Sequence, residues 1–253
     1  MNVETGKISG FLDETLAVAR FSDVSNNGLQ IENGGTVSKI AFGVDASLRG
    51  FRAAVEAGAD LLVCHHGLSW GDSLKRITGL NYELVAYAIR HNLAVYAAHL
   101  PLDAHPVYGN NAQLCRILGV GRKRPAFDYH GQPIGFIGTL ARAMPFDAFC
   151  DRVRERVTPD LRVLDFGKET VRSVGIVSGG AAEMVDQAAA LGADVYLTGE
   201  PGLVGYTAAE NLGMNVIFAG HYATETWGVR ALEALLRERF RLPTVMLDFK
   251  IGF

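Results

Sequence analysis

Short apolar runs of strand length alternate with helix-length amphipathic stretches along most of the chain, and this alternation limits the possible folds more than any other feature. Strands are predicted over residues 37–44, 60–64, 93–98, 171–177, 194–198 and 215–219. Helices are predicted over 7–20, 49–57, 82–91, 181–191, 203–212 and 226–240. In the first helix Ile8, Phe11, Leu12, Thr15, Leu16 and Ala19 share one face. Strand and helix in turn predict a mostly parallel sheet covered by helices, an α/β protein. Asn81 reads as a cap for one helix, and Asn110 or Asn111 as a cap for another that ends near Gly119. Residues 23–35, rich in Asn and Gly, read as an ordered loop. GVGRKRPAFD, residues 119–128, reads as a polar break and a domain boundary. Beyond it a strand is predicted over 133–140, and Pro145 opens a helix over 146–157. The C-terminal segment alternates, with Val245, Leu247, Phe249, Ile251 and Phe253 on one side, which is a strand signal.

The two halves echo each other. AGADLLVCHHG at 57–67 matches LGADVYLTGEP at 191–201, and IAFGVDAS loosely matches VGIVSGGA. His99 and Asp103 are four apart after one strand, and His221 and Glu225 are four apart after another. GAD-type matches also arise by chance at helix-to-strand turns, but here the polar pairs recur as well as the glycines. The reading is two similar α/β lobes, an internal duplication, with ligands from strand ends meeting in the cleft. Open α/β sheets place ligands at the carboxyl ends of their strands.

The strand ends carry the chemistry. His65 and His66 follow Leu-Leu-Val-Cys directly. A lone buried histidine is usually a hydrogen-bonded core residue. Asp103 alone would be a turn former and Glu225 alone a first-turn helix residue. Together, His65, His66, Asp103, His221 and Glu225 make a nitrogen and oxygen donor set suited to Zn, Fe, Mn, Co or Ni. The expectation is a dinuclear centre of two divalent ions per chain, about 3.5–4 Å apart with a carboxylate bridging them. His99 and Glu225 are the candidate catalytic residues, His99 as an orienter or proton shuttle. Cys64 is expected to pack in the core as a small hydrophobe. His105 reads as a loop residue, and His91 and His130 as solvated surface.

Composition bounds the remaining classes. The 253 residues carry a net charge of -3, which gives no reason to expect nucleic-acid binding. No apolar run is long enough to span a bilayer. The start MNVETGKISG lacks signal-peptide character, and three scattered cysteines fit a reducing cytoplasm. There is no GxxxxGK[ST], GxGxxG after a strand, HExxH or GxSxG, so a serine nucleophile or a nicotinamide cofactor has no motif behind it.

NNGLQ (26–30), GVDAS (43–47), HHG (65–67), HLPLDAHPVYGNNAQL (99–114), TGE (198–200) and GHYATE (220–225) resemble the GTP cyclohydrolase I type 2 homologues, also called NIF-three-like proteins. The match runs from the first helix to the last strand and looks like the short bacterial, two-lobe branch. Gly67 departs from it, since many members have proline there. The resemblance implies two α/β lobes with the last strand returning to the first; with the polar break as the boundary, the lobes are expected over residues 1–125 and 126–240 and the returning strand over 241–253. It implies a toroidal homohexamer whose dinuclear sites face the interior. It places the metal ligands on His65, His66, Asp103, His221 and Glu225, with Glu225 bridging. It suggests metal-dependent hydrolysis of a small molecule, possibly GTP, by opening of the purine ring. The alternative is a non-catalytic metal-binding or regulatory scaffold.

Overall fold

The computed structural model describes residues 2–252. The chain divides into two compact units. One holds the residues up to Leu102 together with Gly228–Phe249, and the other holds Asp103–Trp227 and the residues from Lys250.

The first unit is built on a five-stranded sheet. Its order is Thr244–Met246, Ile40–Asp45, Leu61–His66, Ala94–Ala97 and Gly28–Ile31. The first four strands are parallel and the last is antiparallel. Ile40 pairs with Leu61, and Leu61 with Ala94, so the carboxyl ends of these strands lie at one edge. Ala41, Phe51, Leu62, Cys64, Leu84 and Val95 join in one buried cluster, the packing expected when helices cover an apolar sheet face. Burial drives the Cys64 thiol far above its ordinary value, which keeps it an inert core residue.

The second unit has a six-stranded sheet: Val120–Tyr129, Gln132–Pro145, Thr170–Ile176, Val195–Thr198, Asn215–Phe218 and Arg162–Asp165. The three strands between Thr170 and Phe218 are parallel, and the flanking ones are antiparallel. Phe136, Phe149, Val174, Val195, Leu197 and Ile217 lie in its buried core.

One local device appears in both units. Asp60 Oδ2 accepts the Ser38 and Lys39 backbone N–H groups at 2.7 and 3.2 Å. Asp194 Oδ2 accepts the Arg172 and Ser173 N–H groups at 2.9 and 2.8 Å. Each aspartate ends a Gly-Ala-Asp turn and fastens the start of the neighbouring strand, whose first amides would otherwise lack a ladder partner.

Several local expectations are corrected. Residues 119–128 are no linker but most of the strand Val120–Tyr129, paired with Gln132–Pro145. That strand is the sheet's edge, where charged side chains and Pro125 are tolerated because one flank faces solvent. The Asn- and Gly-rich loop contains the strand Gly28–Ile31, too short to show a period. The first helix ends at Leu16 because Ala17 turns left-handed, with φ of 51°. Asn81 lies inside the helix Leu80–Arg90 and donates to the Ser73 and Arg76 carbonyls instead of capping. The helix Asn110–Leu118 starts after Gly109 without a side-chain cap, because Asn110 and Asn111 are buried in other bonds. The last strand covers only Thr244–Met246; Leu247 and Phe249 still pack on the first unit's core, Ile251 is exposed, and Phe253 lies outside the described residues.

Candidate metal centre

In the first unit, the strand Leu61–His66 carries its pleat into the two histidines, and the next strand ends just before His99. His65, His66 and His99 come together, with ring nitrogens that all lie within 4.8 Å of one another. The ring centroids are 4.7 Å apart for His65 and His66, and 5.2 Å for His65 and His99.

Each imidazole is fixed through Nδ1. His65 Nδ1 lies 2.8 Å from the Ala98 carbonyl. His66 Nδ1 lies 2.9 Å from Asp45 Oδ1, and His99 Nδ1 lies 3.0 Å from Asp23 Oδ1. A carbonyl or carboxylate can only accept, so Nδ1 is the protonated nitrogen and donates. In the neutral ring that leaves Nε2 as the nitrogen with a lone pair, the form a metal ion requires.

Asp23 is tightly bound in its turn. It accepts the Ser25 and Leu100 N–H groups, both at 3.0 Å, and the Asn27 amide at 2.9 Å. Burial would raise its pKa, but the hydrogen bond and charge of His99, with Asn27 and Ser25, outweigh burial and hold it at about 2.

In the second unit, the helix His221–Phe240 begins right after the strand Asn215–Phe218 and its Ala219-Gly220 turn. It starts five residues earlier than the apolar periodicity indicates. His221 and Glu225 are therefore one helical turn apart on one face, with Nε2 and Oε1 separated by 3.0 Å. His221 Nδ1 donates to Glu200 Oε1 at 2.8 Å, repeating the arrangement in the first unit. Asp103 Oδ1 accepts from Ser178 Oγ and from Asn110 Nδ2, both at 2.9 Å. Gly179 packs so closely that a Cβ there would lie 2.3 Å from Glu225 Oε1.

The donor set fits divalent metal. Four imidazoles present Nε2, and Asp103 and Glu225 are buried carboxylates at 6% and 2% exposure. Such carboxylates are costly to bury as anions without cationic compensation. Of the residues read from sequence, His65, His66 and His99 meet in one unit, and Asp103, His221 and Glu225 belong to the other. His105 is a loop residue whose Nδ1 accepts from Val107 and Tyr108, and His91 and His130 are exposed. Residue patterns missed the partners Asp23, Asp45, Glu200 and Ser178. Asp45 and Glu200 both stand at carboxyl ends of strands, as the candidate ligands do, and that position was the available signal.

The fold and these side chains define a class, that of α/β proteins whose strand ends carry histidine and carboxylate groups that could hold a metal ion. The chain belongs to the Duf34/NIF3 (NGG1p interacting factor 3) family, whose profile matches residues 3–251. It is 44% identical over 242 residues to the GTP cyclohydrolase 1 type 2 homolog of Deinococcus radiodurans, covering 96% of this chain and 92% of that one. The protein so named from Archaeoglobus fulgidus is 42% identical, with 94% and 95% covered. Among solved structures, TTHA1606 from Thermus thermophilus is similar at 36% identity and a TM-score of 0.91, covering 99% and 100%. Reduced HcgD from Methanocaldococcus jannaschii is similar at 25% identity and a TM-score of 0.85, covering 98% and 99%. No helix among the described residues is long and apolar enough to cross a membrane.

Proposed function

We propose that the chain is a divalent-metal-dependent hydrolase of the GTP cyclohydrolase type 2 kind, opening the ring of a purine nucleotide. Two ions per chain would be held by His65, His66, Asp103, His221 and Glu225, with Glu225 as the bridge. The observation that carries the reading is the repeated fixing of Nδ1 by an oxygen acceptor, which orients Nε2 of His65, His66 and His221 for ligation and leaves the lone pair of His99 on Nε2.

Two of the proposed ligands lie close in sequence to the points where the chain passes between units. The chain passes between units after Leu102, inside the helix Leu100–Ala104 that bears Asp103. It passes again after Trp227, two residues beyond Glu225 in one helix. The matched Asp60 and Asp194 turns support an internal duplication of two lobes.

Bound divalent ions would supply Lewis acidity and a water acidified towards neutral pH. The residues do the rest. Hydrolysis at the purine C8 adds water across a ring carbon–nitrogen bond. The water gives up a proton as its oxygen bonds to carbon, and the departing ring nitrogen gains one. His99, oriented by the ionised Asp23, carries that proton on Nε2. The relatives named GTP cyclohydrolase 1 type 2 homolog support the substrate class. A cytoplasmic homohexamer, ring-shaped, rests on the resemblance; Leu203 and Val204, 82% and 69% exposed, offer apolar surface for self-association.

The test is to load the protein with Zn, Fe, Mn, Co or Ni, count metal by elemental analysis, and assay GTP and a nucleotide panel beside Glu225→Ala. Two ions per chain and turnover lost in the variant are expected. Less than one ion per chain after reconstitution refutes the centre. Metal without turnover above the variant refutes the enzyme and leaves a metal-binding scaffold. Light scattering that shows a stable monomer at micromolar concentration refutes the hexamer.

A further inference from the structure

Trp70 stands beside the imidazole cluster. Its ring centroid lies 5.0 Å from that of His99, edge to face, and 5.8 Å from that of His66. The ring is firmly held. Nε1 donates to the Gly67 carbonyl at 2.7 Å, and the backbone N–H donates to Ser73 Oγ at 2.9 Å. The segment before it is pinned by Gln30, whose Oε1 accepts the Leu68 and Ser69 N–H groups. Trp70 also bridges to Ser25.

Its packing is unlike that of its neighbours. Leu68 and Leu74, on either side, pack into the hydrophobic core of the first unit, whereas Trp70 packs against the rings of His66 and His99. It is half-buried, and residues 71–80 after it are exposed except for Leu74. The indole N–H is already used within the chain, so the outer part of the ring can meet a ligand only through its π surface.

We propose that Trp70 is a stacking platform for a planar heterocycle, a purine base, which it would present beside His66 and His99. The proposal rests on the hydrolytic reading of the imidazole cluster and adds to it the part of the substrate that is recognised. Stacking suits this position because every purine has a π face and needs no hydrogen-bond code. A ring already fixed by Gly67 and Ser73 also loses little freedom when the base arrives.

Intrinsic fluorescence tests this directly, because the chain has 2 tryptophans and W70F leaves only Trp227. Guanosine, GTP and ribose 5-phosphate are titrated into zinc-loaded wild type and W70F. Guanosine and GTP are expected to quench wild type saturably and leave W70F unchanged, while ribose 5-phosphate quenches neither. By equilibrium dialysis, W70A, checked for folding by circular dichroism, is expected to bind guanosine about tenfold more weakly, with W70F within about threefold of wild type. Absence of saturable quenching by guanosine, equal quenching by ribose 5-phosphate, or equal guanosine affinity in wild type and W70A overturns the platform. These readouts are independent of turnover. A protein that binds guanosine but leaves GTP intact refutes the hydrolase and keeps Trp70, and a protein that hydrolyses GTP with no Trp70 signal does the reverse.

Discussion

Gln30 closes the space beside Gly67. A Cβ at position 67 would fall 2.3 Å from Gln30 Oε1 and 2.6 Å from the Ala97 methyl. Gln30 cannot swing aside cheaply, because its amide also bonds the backbone of Asn26, Leu68 and Ser69. Gly67→Ala is therefore expected to destabilise the chain by about 1–3 kcal/mol through overpacking. Urea denaturation followed by far-UV circular dichroism measures it; an unchanged midpoint contradicts the account.

Gly179 presses on the second unit's candidate metal residues from the backbone side. Its φ is +70°, and a Cβ would lie 2.3 Å from Glu225 Oε1 and 3.1 Å from His221 Nε2. Gly179→Ala should cost about 1–2 kcal/mol in backbone strain and displace the Glu225 carboxylate. The expected outcome is a folded protein with reduced metal content by elemental analysis. Full metal occupancy in this variant would count against Glu225 as a ligand.

The acid limb of stability should report Asp23. Its pKa is lowered from 3.8 to about 2 in the folded chain. A depressed carboxyl contributes fully above its unfolded value, begins to lose that contribution as the pH falls below about 4, and has lost it below about 2. Thermal midpoints measured between pH 4 and 2 should therefore fall less steeply in Asp23→Asn than in wild type. Parallel curves would show that Asp23 is not a source of the acid sensitivity.

Asp60 and Asp194 do matching work, each accepting two backbone amides at the start of a strand. Asp60 adds the Ser38 hydroxyl at 2.5 Å, and Asp194 adds Lys168 Nζ at 2.6 Å. Alanine at either position leaves those amides without their acceptor, at a cost of about 1–3 kcal/mol. Chemical denaturation of the two single variants should give similar losses. A large loss at one and none at the other would break the equivalence.

The same residues show what could be read from the chain alone. The Gly-Ala-Asp turns and the paired histidines were legible because each is a contiguous signal: a tight turn, or two imidazoles after an apolar run. The helix Leu203–Leu212 likewise has the predicted bounds. The hairpin Val120–Tyr129 was not legible, because Arg122, Lys123, Arg124 and Pro125 look like a linker until the strand is known to be an edge. Asp45 and Glu200 escaped notice for a related reason. Each lies 21 residues before the histidine it orients, and only strand adjacency brings the partners together. Asn110 and Asn111 look like helix caps in sequence. Their actual partners, Asp103, the Ile134 carbonyl and the Ser178 amide, are up to 67 residues away.

The strand Thr244–Met246 pairs with Ile40–Phe42, joining positions some two hundred residues apart in one sheet. During synthesis, the edge of Ile40–Asp45 must therefore wait until residues 244–246 have left the ribosome. Until then its amides and carbonyls form an open edge, able to recruit a strand from another nascent chain. The strand Thr244–Met246 thus acts as a latch on biogenesis. A chain cut before Thr244 would keep every candidate metal-binding side chain and still expose the edge that this strand covers.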